Sequence, residues 1–149
     1  MKNKLIRFCV YGFAGWCLEI FFTGLKQGLR GNKSLTGKSY LWMFPIYGLS
    51  AFLLEPIHDR IRRWPWPARA ATYSAGIMTV EYATGWMLDK SIGECPWDYS
   101  GRSLVDINGY VRLEYAPMWA AVGLGAERIH DFLTEAIPAV EDALASRER

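Results

Sequence analysis

Four long apolar runs, separated by charged or Gly/Pro-rich blocks, restrict this chain more than any other feature. Each run is about the length that crosses a hydrocarbon core, roughly 20 residues. The first covers 5–25 and is apolar apart from Arg7 near its start and Glu19 inside it. The second covers 40–57, with Pro45 in its first turns and Tyr40 and Trp42 where amphipathic rings settle at an interface. The third, 69–88, is rich in Ala, Gly, Ser and Thr, as suits a helix packed among helices. The fourth, 113 to about 133, meets water around Glu127 to Asp131. A soluble four-helix bundle tolerates the internal glutamates but requires a charged face on each helix, which these runs lack. The expected fold is all-α: a polytopic membrane protein, a bundle of about four transmembrane helices with a long loop between helices 3 and 4.

Composition enters only through its segregation. The mean hydropathy of +0.01 resembles that of a soluble protein, yet 51% of residues are hydrophobic and they are gathered into runs. One transmembrane domain over 1–133 is expected, followed by a charged, amphipathic tail or surface helix over 134–149. The first run is too long and too aromatic for a signal peptide, and no small-x-small cleavage site follows it. A net charge of +2 with no basic helix face argues against nucleic acid as a partner. Cys9, Cys17 and Cys95 form no C-x-x-C or His/Cys cluster, so neither a disulfide framework nor a metal centre is expected, and no cofactor.

Parity sorts the carboxylates into two layers. Glu19 and Glu81 both lie toward the C-terminal ends of odd-numbered runs, so four spans place them at similar depth on one side, beneath the first and third loops. Glu55 and Glu127 end the even-numbered runs and face the other side, with Arg69, His58, His130 and the His58–Arg63 connector. Gly12, Gly15 and Glu19 share a helical face, and so do Gly48, Ala51 and Glu55, and Ala120, Gly123 and Glu127. Small residues let membrane helices approach closely, which turns each glutamate toward a packing face. Glu55 and Glu127 are expected as ion-pair partners on their side, with Arg69 at hand.

For Glu19 and Glu81 two readings stand. Each is protonated or paired, with Arg112, Lys38, a tyrosine or a backbone group, and fixes helix register. Alternatively they share a polar pocket under the third loop, where two neighbouring carboxyls hold a proton or cation. The loop over 89–112 is long, with turn signals at Gly93, Gly101 and Asn108-Gly109, and a loop of that length is functional or disordered. Trp97 and Tyr99 read either as an aromatic belt or as part of a lid. Asp98 either caps its own turn or meets a ligand together with Arg112 at the pocket mouth. The candidate pocket therefore comprises Glu19, Glu81, Asp98, Arg112, Trp97, Tyr99 and Asn108, with no catalytic residue assigned.

Several landmarks follow one another in a familiar order. They are Gly15-x-x-x-Glu19, Phe44-Pro45-Ile46-Tyr47-Gly48, Glu81-Tyr82-x-Thr84-Gly85, Pro96-Trp97-Asp98-Tyr99-Ser100, and Gly109 with Arg112-Leu113-Glu114-Tyr115 and Trp119. The set resembles the transmembrane protein 229 family and the related bacterial family labelled "putative ABC-transporter type IV permease". The resemblance covers about Gly12 to Leu133 and implies a small polytopic membrane protein with a transport label, but no catalytic residues. The first loop, GNKSLTGKSYLWMFPIYG, departs from the bacterial pattern by being longer and lacking its Gly-Pro, so no role is carried onto it.

The function expected is that of a transport- or permease-like integral membrane component, in preference to an enzyme. The alternatives are a membrane enzyme acting on a lipid or lipid-linked group, and a structural or regulatory subunit of a membrane complex. No G-x-x-x-x-G-K-[ST] is present, so an ATPase would be a separate polypeptide. Expected partners are the lipid bilayer and either a homo-oligomer or a partner subunit, since four spans are few for a solitary transporter. Ten Lys/Arg, Arg149 among them, fall on the side of the N-terminus, and seven, Arg102 among them, on the other. The bias favours the cytoplasmic membrane with both termini inside.

Overall fold

A computed structural model describes residues 2–101 and 103–147; Met1, Arg102, Glu148 and Arg149 lie outside the described residues, including the Arg102 and Arg149 of the charge count. The fold is all-α, with 74% of the described residues helical. Its elements are α1 (Lys2–Leu29), α2 (Met43–Gly48), α3 (Ser50–Ile61), α4 (Trp66–Ile92), strands β1 (Asp106–Ile107) and β2 (Val111–Arg112), a 3-10 turn (Leu113–Tyr115) and α5 (Ala116–Arg147). They form two compact units, residues 1–54 and 55–149.

In the first unit α2 packs against α1. Glycines set the approach: a Cβ at Gly12 would lie 2.7 Å from the Phe44 carbonyl, and one at Gly15 2.5 Å from the Tyr47 ring. Phe8 fills the space beside Gly48 and meets Phe44 edge-on, with ring centroids 6.1 Å apart. The connection between these helices folds back along α1, where the Thr23 hydroxyl accepts from the Lys38 N–H at 2.8 Å. The outer face of α1 is apolar and open, with Phe13, Leu18, Phe21 and Leu25 all exposed. Such a face suits hydrocarbon as its solvent.

In the second unit α4 and α5 pack antiparallel. Tyr73 lies against Gly123, and the Ser74 hydroxyl donates to the Ala116 carbonyl at 2.9 Å. Pro65 caps α4 and Pro67 occupies its first turn, where a missing N–H leaves nothing unpaired, so the proline-rich connector separates α3 from α4 as its sequence dictates. Gly93 ends α4 with a left-handed φ of 79°.

Among the described residues α1 alone is long and apolar enough to cross a membrane, with a mean hydropathy of 1.5. The other three expected spans differ from it for separate reasons. The second is broken into α2 and α3 at Leu49, so neither piece is long. α4 is long, 27 residues, but its middle is rich in Ala, Gly, Ser, Thr and Tyr and holds Glu81, so it is less apolar. α5 begins at Ala116 rather than 113 and continues to Arg147 through Pro138, joining the expected fourth span and the expected tail into one helix of 32 residues.

Candidate functional site

The described residues of the loop after α4 dock on that helix. Asn108 and Gly109 both take positive φ, 54° and 74°, at the centre of a turn closed by the Tyr110 N–H on the Ile107 carbonyl at 3.0 Å. Positive φ at both central positions is what a two-strand ribbon prefers, and β1 pairs β2 across it in the register Asp106↔Arg112. The expected turn signals are therefore used as turns, Gly101 included, with φ 66°.

Three side-chain hydrogen bonds fasten this loop to the C-terminal half of α4. The Tyr99 hydroxyl donates to Glu81 Oε1 at 3.0 Å, Asn108 Nδ2 donates to the Tyr82 hydroxyl at 2.9 Å, and the Tyr110 hydroxyl donates to Asp89 Oδ2 at 2.9 Å. Gly85 provides the room, since a Cβ there would meet Tyr110 and the Cys95 sulfur at 3.2–3.3 Å. The Trp97 indole N–H donates to the Tyr110 carbonyl at 3.1 Å, and the Tyr99 N–H to the Gly109 carbonyl at 2.9 Å. Asp98 Oδ1 accepts the Ser100 N–H at 2.9 Å, which is the turn-capping geometry. Arg112 turns to Glu114 at 2.8 Å and lies over the Tyr115 ring, 5.1 Å from its centroid, and Tyr115 in turn meets Tyr99 edge-on.

The electrostatics of the loop follow from these contacts. The Leu104 N–H and then Arg112 hold the Glu114 carboxyl below its ordinary value of 4.5. Burial first, with Asp98, Asp89 and Glu81 nearby, raises the Cys95 thiol above its ordinary 9.0. The Tyr110 phenol is raised chiefly by its hydrogen bond to Asp89.

Glu81, Tyr99, Trp97, Asp98, Asn108 and Arg112 thus belong to one loop-on-helix assembly in the second unit. Glu19 belongs to the first unit, where its Oε2 accepts from the Ser39 hydroxyl at 2.8 Å and the Tyr47 hydroxyl at 3.3 Å. The departing first loop therefore supplies Glu19 with a partner, Ser39, that sequence reasoning did not single out. A recess of about 220 Å³ in this unit is lined by Thr23, Lys26, Gln27, Arg30, Thr36 and Lys38, and its charged residues are basic.

The residues expected on the opposite side also find partners. Arg69 Nε lies 2.9 Å from Glu127 Oε1, and Glu55 Oε1 lies 3.3 Å from His130 Nδ1. The histidines were placed on this side by the sequence but given no role there. His58 and His130 meet edge to face, 5.3 Å between ring centroids, and the His58 Nδ1 lies 3.0 Å from the Tyr73 hydroxyl. The signal that finds them is a repeated pentad, Glu55-Pro-Ile-His58-Asp59 and Glu127-Arg-Ile-His130-Asp131.

The sequence profile of the family described as "Putative ABC-transporter type IV" matches residues 6–146. No solved structure matches this chain.

Proposed function

This chain belongs to the family described as "Putative ABC-transporter type IV", and from that premise we propose that it is a membrane-embedded component of a transport system. The observation that carries this reading is the reach of the family match, which takes in α1, the docked loop and both internal glutamates. In this reading α1, α2 with α3, α4 and α5 are the four spans of a polytopic protein, with both termini on the cytoplasmic side. Glu19 and Glu81, each held by hydroxyls in its own unit, are polar stations on a route for a cation or small polar solute. Carboxylates in membrane helices are expensive to place there, which makes them the first residues to test for function. Energy would come from an ATPase on another polypeptide, and a homo-oligomer or partner subunit would complete the route. The Pro96–Ser100 run, with the other ordered landmarks, supports a place for this chain beside the transmembrane protein 229 family.

The test is solute flux through reconstituted vesicles carrying wild type, Glu19→Gln or Glu81→Gln. The proposal expects both substitutions to abolish flux while folding is retained. Unchanged flux in both contradicts it. One observation favours a second reading, a structural subunit: the Tyr99 and Ser39 bonds already engage the two carboxylates. A stoichiometric partner that co-purifies equally with wild type and both variants would select that reading.

A further inference from the structure

The repeated pentad puts the same chemistry on two helices. Glu-x-x-His spacing sets a carboxylate and an imidazole one turn apart on one face, the arrangement by which helical carboxylate proteins present paired ligands to a metal. In α3 these are Glu55 and His58, with Asp59 next to them, and in α5 Glu127 and His130, with Asp131. Within the second unit the two motifs answer each other crosswise. His58 Nδ1 lies 3.8 Å from Glu127 Oε1 and its Nε2 3.4 Å from Asp131 Oδ1. Reciprocally, His130 Nδ1 lies 3.3 Å from Glu55 Oε1 and its Nε2 3.6 Å from Asp59 Oδ1. One ligand atom from each of His58, Asp59 and His130 falls within 4.8 Å of the others.

A second observation points to a ligand. The His58 side chain is only 6% exposed and that of His130 12%, and His58 Nε2 and His130 Nδ1 meet carboxylate oxygens at 3.4 and 3.3 Å without an aligned hydrogen bond. A buried ring nitrogen held this way retains capacity for a stronger interaction. Tyr73 holds His58 Nδ1 at 3.0 Å, which is how an outer partner fixes an imidazole so that its second nitrogen meets a metal. Arg62 and Arg69 also hold Asp131 and Glu127, at 3.1 and 2.9 Å, so those two carboxylates frame the site beside the His58, His130 and Asp59 donors.

We propose that His58, His130 and Asp59 bind one divalent transition-metal ion of the zinc class, with Tyr73 as a positioning residue. Two imidazoles and a carboxylate suit Zn²⁺ and its neighbours and not Ca²⁺ or Mg²⁺, which take oxygen ligands. Ligand atoms at roughly 2.0–2.1 Å from zinc stand about 3.4 Å apart in a tetrahedron, so the site contracts on loading. Asp59, with a side chain 65% exposed, is free to swing the required distance. The proposal goes beyond the transport reading and is independent of it, because metal binding is read on the purified chain without any flux.

The test uses the full-length chain in detergent, stripped with a chelator and titrated with Zn²⁺ against a chromophoric competitor. Wild type is expected to take up one Zn²⁺ per chain and to unfold at higher temperature when loaded. Tyr73→Phe should weaken binding about tenfold, and Asp59→Asn and His58→Gln by more. Asp59→Asn alters an exposed side chain, so it separates lost binding from lost folding. A wild-type chain that takes up no Zn²⁺, or equal affinity in wild type, Asp59→Asn and His58→Gln, overturns the proposal.

Discussion

The hydroxyl of Tyr99 donates to the Glu81 carboxylate at 3.0 Å, joining the tip of a loop to the middle of a helix. A hydrogen bond to a charged group contributes about 1.5–3 kcal/mol when shielded, and less when half-exposed as here. Tyr99→Phe should therefore weaken loop docking by about 1 kcal/mol. Amide hydrogen exchange across residues 94–112 reads this directly: faster exchange is expected there, with α1 unchanged.

Glycines in the two units should respond in opposite directions. A Cβ at Gly15 would sit 2.5 Å from the Tyr47 ring, so Gly15→Ala should destabilise the chain by about 1–3 kcal/mol through overpacking. Gly76 has nothing within 4 Å of a built Cβ and lies inside α4, so Gly76→Ala should stabilise it by up to about 1 kcal/mol. Thermal unfolding in detergent distinguishes the signs.

Two arginines contrast burial with exposure. Arg69 pairs with Glu127, whose side chain is 7% exposed, so Arg69→Ala strands a buried carboxylate at a cost of about 3 kcal/mol. Arg62 pairs with Asp131, and these side chains are 56% and 40% exposed, so Arg62→Ala should cost less than about 1 kcal/mol. Denaturation midpoints of the two variants give the comparison.

Glu114 gives the loop a pH dependence of known sign. Its carboxyl is held below its ordinary 4.5 by the Leu104 N–H and Arg112, so the folded loop binds its proton less readily than the unfolded chain does. That contribution is fully present above about pH 4.5 and is lost as pH falls through the lowered native value. Exchange at the Leu104 amide should be steady, after correction for intrinsic rates, down to that point and faster below it. Glu114→Gln should remove the dependence.

Much of this architecture was legible in the chain. The first apolar run is α1, the Pro65–Pro67 punctuation separates α3 from α4, and the positive-φ positions fall at Gly93, Gly101 and Asn108-Gly109. The Arg69–Glu127 pair follows from placing run ends on one side. The docking of the third loop was not legible. It joins Tyr99 to Glu81 and Asn108 to Tyr82 across 18 and 26 positions, and no periodicity encodes such contacts. The continuation of α5 through Pro138 was hidden because a change from apolar to charged composition looks like an end, although the backbone need not stop there. The two histidines received no role from the sequence because they are far apart in it and carry no cysteine nearby. Only the repeat of Glu-x-x-His-Asp marks them.

The central claim is that this chain carries solute through a membrane by way of Glu81. Its most direct test is cation and proton flux in vesicles prepared from cells that make the chain together with whatever subunits accompany it. Flux should be present with wild type, fall to the level of vesicles lacking the chain with Glu81→Gln, and change without vanishing with Tyr99→Phe. Flux equal in wild-type, Glu81→Gln and chain-free vesicles would contradict the claim.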